Sequence, residues 1–191
     1  MSIIRYFIIS IFFIIFHNQA ISEEVNKIGK FKDWETIVIK NDSEFVSFAQ
    51  SKPVLQSPKK NTREARLFVS FRPNEKILDE ISITAGYEFN KNNLITAKSG
   101  KNKYKFDISQ ENFAWMADNK QEKKMIKIMK RGSRIMITGY NQEGSQTIDH
   151  YSLLGFTKVF FKSLMIIFLT PNFFAFLNIF SLSIFWPISA V

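Results

Sequence analysis

The sequence predicts an all-β domain built as a two-sheet β-sandwich with one or two short helices. Apolar and polar residues alternate with a period of two in repeated short runs, and these runs are rich in β-branched and aromatic residues. Clusters of turn-forming residues separate the runs at short intervals. Between the two apolar ends of the chain, helical periodicity is confined to two short segments. Many short strands of this kind favour a sandwich, and a small open barrel is the alternative arrangement.

The predicted strands follow one another from residue 34 onward. A polar loop with two prolines is expected at residues 51–63, hairpin turns at Gly100 and Gly144, and a bulge or turn at Gly86. We expect a core that contains Trp34, Phe71, Ile83, Phe106, Ile137 and Phe156, with Trp115 as a further buried anchor. The predicted strands are residues 34–39, 45–50, 66–72, 80–85, 94–97, 104–108, 113–116, 134–140 and 146–151.

Two helices are expected among these strands. Asp118, with Gln121 three residues later, is typical of a helix N-terminus, and an apolar stripe of methionine and isoleucine follows. Gly132 is placed to end this helix in the left-handed conformation. Residues 153–163 predict an amphipathic helix that closes the domain.

The two ends of the chain differ from its middle. Residues 1–20 are typical of a secretory signal peptide, because Arg5 precedes the apolar residues 6–16 and Ala20 can occupy the cleavage position. An uncleaved N-terminal anchor is the alternative.

Residues 164–191 carry no charged side chain and are long enough to cross a bilayer. Their flanking lysines, Lys158 and Lys162, oppose the usual charge bias of a membrane span, and a shifted reading frame is the other explanation. We therefore expect a folded domain at residues 26–163, followed by a hydrophobic tail outside the fold.

Charge and cysteine usage limit the chemistry of the domain. The chain has 26 Lys and Arg against 17 Asp and Glu, and nearly all of these charges lie between the two apolar ends. A basic surface attracts anionic glycans, lipid headgroups or nucleic acid. The absence of cysteine excludes disulfides, thiolate metal sites and cysteine nucleophiles.

The sequence predicts no catalytic, cofactor or metal site. His150 is the histidine left after removal of a signal peptide, and it lies with Asp149 and Ser152 on one predicted strand. Neighbours on a strand face opposite sides, and residues two apart are about 6.5–7 Å apart, so these three side chains do not form a triad. The carboxylates of Asp79 and Glu80 are expected at a solvated turn. An enzyme that uses only carboxylates is the least favoured function.

One basic surface is a candidate binding site for an anionic partner. The first predicted helix carries Lys123, Lys124, Lys127, Lys130 and Arg131 in close succession. The alternative is an ordinary solvated helix face.

Several motifs resemble the invasion associated locus B family. The segment Gly29-Lys30-Phe31-Lys32-Asp33-Trp34 resembles the start of that family's domain, and Phe48-Ala49-Gln50-Ser51 resembles its second strand. Gly132-Ser133-Arg134 resembles the turn after its short helix. Tyr151-Ser152-Leu153-Leu154-Gly155-Phe156-Thr157-Lys158 resembles its Ser-Leu-x-Gly-Phe-Thr signature. The resemblance covers residues 27–164.

The resemblance implies an immunoglobulin-like sandwich in the periplasm or cell envelope, without an established reaction or cofactor. Family members often carry a cysteine where Ser47 stands, so their disulfide is missing here. We expect a non-enzymatic envelope domain that interacts with an envelope protein, an anionic glycan or a lipid surface, and not with nucleic acid. An adaptor or stability factor for envelope components is the alternative, and residues 164–191 are a candidate membrane anchor.

Overall fold

A computed structural model of the chain describes residues 24–40, 45–59 and 63–169. Within these residues the larger sheet has seven antiparallel strands in the order β1-β2-β3-β5-β6-β10-β9. Its strands are β1 (Glu24–Phe31), β2 (Trp34–Lys40), β3 (Phe45–Ser51), β5 (Arg66–Arg72), β6 (Ile77–Thr84), β9 (Ile108–Gln110) and β10 (Phe113–Trp115). A 3₁₀ turn, Pro73–Glu75, joins β5 to β6.

The smaller sheet has five antiparallel strands within the described residues, in the order β4-β12-β11-β7-β8. Its strands are β4 (Leu55–Ser57), β7 (Ile95–Ser99), β8 (Asn102–Phe106), β11 (Arg134–Tyr140) and β12 (Gln146–Ser152). The predicted β-rich, sandwich-like architecture is confirmed at this level.

The core contains buried residues from both sheets. All six residues predicted for it are at most 4% exposed. The Trp34 ring packs 4.7 Å from the Phe156 ring, and its Nε1 donates to the carbonyl of Ser152 at 2.8 Å. The prediction for Trp115 is wrong, because this residue is only partly buried and its neighbour Ala114 points inward instead.

The first helix, α1 (Asn119–Met129), begins where the sequence predicts. The Asp118 carboxylate accepts a hydrogen bond from the Lys120 backbone N–H at 2.7 Å. The prediction for Gly132 is wrong, since its φ is not positive. A Cβ at this position would lie 3.0 Å from Leu153 Cδ1 and 3.1 Å from the Ile128 carbonyl, so close packing leaves little room for a side chain there.

The second helix, α2 (Phe156–Phe168), crosses the domain boundary expected at Ser163. Gly155 precedes it with φ 95°, and a Cβ there would meet the Phe31 carbonyl at 2.2 Å. Phe156, Val159, Phe160, Ser163 and Ile167 are buried, with helical spacing. The expectation that the fold excludes everything after Ser163 is therefore wrong for residues 164–168. The signal segment, residues 1–20, and residues 170–191 lie outside the described part of the chain.

Two observed strands lie wholly outside the predicted ones, and the single strand predicted at residues 104–108 is divided between β8 and β9, which belong to different sheets. β1 precedes the predicted strands and pairs with β2, with a bulge between Lys27 and Gly29. β4 lies inside the predicted polar loop and pairs with β12. Both are outermost strands of their sheets. Among the described residues, no helix combines the length and apolar character that a membrane span requires.

Candidate binding surfaces

The predicted basic surface is largely present on α1. Lys123, Lys124, Lys127 and Arg131 are exposed. Helical spacing places Lys123, Lys124 and Lys127 within about a third of the helix circumference, and Arg131 lies two residues past the end of the helix. The opposite face of the helix packs against the domain through Met125, Ile126 and Met129.

Lys130 does not belong to this exposed surface. Its Nζ lies 3.7 Å from the centre of the Phe160 ring and 4.7 Å from that of Phe161, so its charge faces aromatic rings of α2. Burial lowers the pKa of Lys130. The candidate patch therefore consists of four side chains, and the fifth joins the two helices.

The outer face of the larger sheet carries a continuous row of side chains that the sequence did not reveal. Directly paired residues project to the same side of a sheet. The strand registers therefore align Lys30, Glu35, Gln50, Phe68, Ser82, Trp115 and Ile108 across all seven strands. The inner neighbours of these residues fill the core.

Four aromatic rings form a cluster on this outer face. Phe48 meets Phe68 at 5.7 Å between ring centres, Phe68 meets Phe113 at 6.2 Å, and Phe113 stacks on Trp115 at 5.9 Å. All four are partly exposed, and none belongs to the hydrophobic core. We call these four residues the aromatic cluster.

A cleft of about 610 Å³ opens at the other end of the same row. Its cationic side chains are Lys27, Lys30, Lys52 and Arg66, and its carboxylates are Asp33 and Glu35. We call it the basic cleft.

Glu35 and Gln50 organise the floor of the basic cleft. Glu35 forms an ion pair with Lys27 and accepts a hydrogen bond from Gln50 Nε2 at 2.6 Å. Burial raises the pKa of Glu35, but the bonds from Lys27 and Gln50 outweigh it and leave the pKa below its ordinary value. The Glu35 charge is therefore largely neutralised within the site.

Arg66 connects the basic cleft to the aromatic cluster. It lies two residues before Phe68 on β5, so both side chains project from the outer face. Its Nη2 donates to the exposed Glu64 carboxylate at 2.7 Å, and its buried Nη1 has no hydrogen-bond partner among the described residues.

A buried ion pair fixes the segment that contains β4. Arg63 donates to both carboxylate oxygens of Asp149, at 2.5 and 3.1 Å, and to the Ala85 carbonyl at 2.9 Å. Its backbone also exchanges two hydrogen bonds of 3.1 Å with the Gln56 side chain. Burial raises the pKa of Asp149, and Arg63 opposes that rise. This network is structural, and no pattern in the sequence indicates it.

Glu122 is a second buried carboxyl that was not predicted. It lies on α1, and its Oε1 accepts a hydrogen bond from the Ile81 N–H at 2.5 Å. Burial raises its pKa to about 7, and the nearby charges of Asp79 and Glu80 add to the rise.

The prediction that Asp79 and Glu80 occupy a solvated turn is wrong, because both lie on β6 and are partly buried. Glu80 also pairs with Arg72 at 2.9 Å.

The strand geometry separates the side chains of Asp149, His150 and Ser152, as the sequence predicts. The side chain of Asp149 is buried against Arg63, whereas His150, next in the strand, is partly exposed. The hydroxyl of Ser152 accepts a hydrogen bond from the Leu154 N–H at 3.2 Å. Across residues 24–40, 45–59 and 63–169, no group of three His, Asp or Glu side chains is placed to hold a metal ion.

Comparison of the chain with protein-family models, with curated proteins and with solved structures finds no match in any of the three.

Proposed function

We propose that the chain is an exported, non-enzymatic domain of the cell envelope, of the invasion associated locus B type, that binds an anionic glycan through the outer face of its larger sheet. The observation that carries the proposal is the position of the basic cleft beside the aromatic cluster on one sheet face. We further propose the immunoglobulin-like class for its sandwich, periplasmic or envelope location through residues 1–20, and anchoring by residues 170–191, the part of the predicted tail that follows α2.

The chemistry of an acidic sugar matches this pair of features. A pyranose ring has an apolar C–H face, which gains free energy when an aromatic ring covers it. A uronate carboxylate is a suitable acceptor for the guanidinium of Arg66 and the ammonium group of Lys30. The volume of the basic cleft, about 610 Å³, lies in the range of small-ligand sites. One oligosaccharide could therefore occupy the cleft and extend over Phe48 and Phe68.

Titration with oligogalacturonate, and with a neutral oligosaccharide of equal length, tests the proposal. We expect calorimetric binding of the acidic sugar alone, and weaker binding as salt is added. Lys30→Glu should weaken it, because Lys30 is an exposed member of the basic cleft. Lys91→Glu is the matched control, since Lys91 is exposed and lies outside the cleft. Equal binding of both sugars, or equal losses in the two variants, would contradict the proposal.

An adaptor for other envelope components is the second candidate function. The exposed cationic face of α1 supports it, because its three lysines and the neighbouring Arg131 favour an acidic protein surface. Crosslinking of the full chain in envelope extracts distinguishes the two functions. Recovery of one dominant protein, lost on reversing the charges of Lys123 and Lys127, would favour the adaptor.

A further inference from the structure

The outward face of α2 carries large apolar side chains in water. Phe161, Met165 and Leu169 are 50, 54 and 73% exposed. They are spaced four residues apart, so they lie on one side of the helix over about 12 Å of its length. We call these three residues the α2 stripe. Apolar groups at successive turns form a contiguous patch, which is uncommon on a soluble surface.

Lysines surround the α2 stripe. Lys158 and Lys162 are exposed on the same helix, and Lys130 reaches the ring of Phe161 from the end of α1. No Asp or Glu occurs on α2. The charged side chains on the same helix as the α2 stripe are therefore all positive.

Two of these lysines extend the surface to the outermost strand of the larger sheet. Lys158 Nζ lies 4.1 Å from the centre of the Phe31 ring, and Lys162 Nζ donates to the Ile28 carbonyl at 3.2 Å. Phe31 and Ile28 are themselves 38 and 42% exposed. The face thus combines a helix and a strand edge, with lysines between them.

We infer that this face of α2 rests on the surface of a bilayer that contains anionic lipid. Apolar side chains inserted below the headgroups and lysines held at headgroup level are the arrangement of interfacial helices. Lysine can extend its ammonium group to the headgroups while its methylene stem stays with the apolar groups. The course of the chain supports this placement on a bilayer. Leu169 is the most exposed member of the α2 stripe, and it is followed by residues 170–191, which have no charged side chain.

A second copy of the chain fits this face less well. In a two-fold symmetric contact each copy would present the same surface, so the lysines of one α2 would meet those of the other. Like charges brought together at an interface oppose association. Anionic headgroups supply the complementary charge instead.

The inference rests on the proposed envelope location, and it adds the orientation of the domain. Because the chain has no cysteine, one introduced cysteine gives one labelling site. The full-length variants Met165→Cys and Leu94→Cys are labelled with an environment-sensitive fluorophore. Leu94 is the matched control, as an apolar side chain, 46% exposed, away from α2. Each is mixed with vesicles of phosphatidylglycerol and phosphatidylcholine, or of phosphatidylcholine alone.

We expect blue-shifted emission at position 165 on the anionic vesicles, quenched by a nitroxide placed near the lipid headgroups. Position 94 should report water and be quenched by aqueous iodide. Lys158→Gln with Lys162→Gln should lower the vesicle partition coefficient roughly 25-fold, because each lysine near an anionic surface contributes about fivefold.

Three results would overturn the inference. If the fluorophores at positions 165 and 94 both report water although the chain has bound to the vesicles, residues outside α2 attach the chain to the bilayer. If position 165 is already blue-shifted without lipid, another segment or a second copy covers the α2 stripe. If the two vesicle types give equal shifts, the lysines contribute nothing. None of these measurements involves a glycan, so failure here is distinguishable from failure of the glycan proposal.

Discussion

Removal of the Arg63 guanidinium tests what holds the segment around β4 in place. In Arg63→Met, Asp149 keeps its buried position, 3% exposed, but loses the two hydrogen bonds from Arg63, and the Ala85 carbonyl loses one. Breaking a buried pair by removing one partner costs about 3–5 kcal/mol, because the remaining charge is uncompensated. A domain of this size is stable by about 5–15 kcal/mol, so the variant should lose a large part of its free energy of unfolding.

The loss should depend on pH in a definite direction. Burial raises the pKa of Asp149 in the folded state, and without Arg63 that pKa rises further. Protonated Asp149 favours the fold, so the deficit is greatest above the folded-state pKa and shrinks as the pH falls through it. We therefore expect a smaller difference between wild type and variant at about pH 4 than at about pH 7.

Urea denaturation at both pH values measures the effect. The matched control is Arg63→Met combined with Asp149→Leu, which leaves no charge behind and should recover most of the loss. Equal midpoints of wild type and Arg63→Met at neutral pH would refute the structural role of the pair. If Arg63→Met loses as much free energy of unfolding in acid as at neutral pH, the charge of Asp149 is not the cause of the loss.

Three further changes test other parts of the fold. Trp34→Ala removes the ring against Phe156 and should cost about 3–5 kcal/mol, and an unchanged thermal melt would contradict the core assignment. Ile167→Ala should cost about 2–5 kcal/mol, since Ile167 is fully buried; a wild-type melt would return the domain boundary to Ser163. The pKa of Glu122 rises from 4.5 to about 7 on folding, so its contribution to stability is complete below about pH 4.5 and is lost as the pH rises through 7. Glu122→Gln should abolish this decline in urea midpoints and gain up to about 3 kcal/mol in mild alkali, and a parallel pH profile would exclude Glu122 as its source.

Local pattern accounts for the elements that were predicted well. β5 matches its predicted bounds because Leu67, Val69 and Phe71 face the core while their neighbours face out. β1 was missed because, as an outermost strand, its described side chains are exposed or only partly buried. The end of α2 was misplaced because the charges stop at Lys162, whereas the buried helical face continues to Ile167.

The candidate surfaces depend on information that no local pattern carries. The lysines of α1 were visible in the sequence, but the contact of Lys130 with Phe160 requires the packing of one helix on another. The row that runs from Lys30 to Ile108 exists only through the registers of seven strands, which pair residues far apart in the chain. Its aromatic members look like core residues until the register shows that they face outward.

The strands at the sheet edges have a consequence for the domain at high local concentration. An exposed strand offers unpaired N–H and C=O groups to any similar strand, which is a route to aggregation. Here β4 and β9 have three residues each, β1 is bulged beside Lys27, and β8 presents Lys103 and Lys105 to solvent. Short length, a bulge and lysines each hinder pairing between copies. Copies crowded on one membrane should therefore stay separate, and their outer sheet faces should stay free to bind.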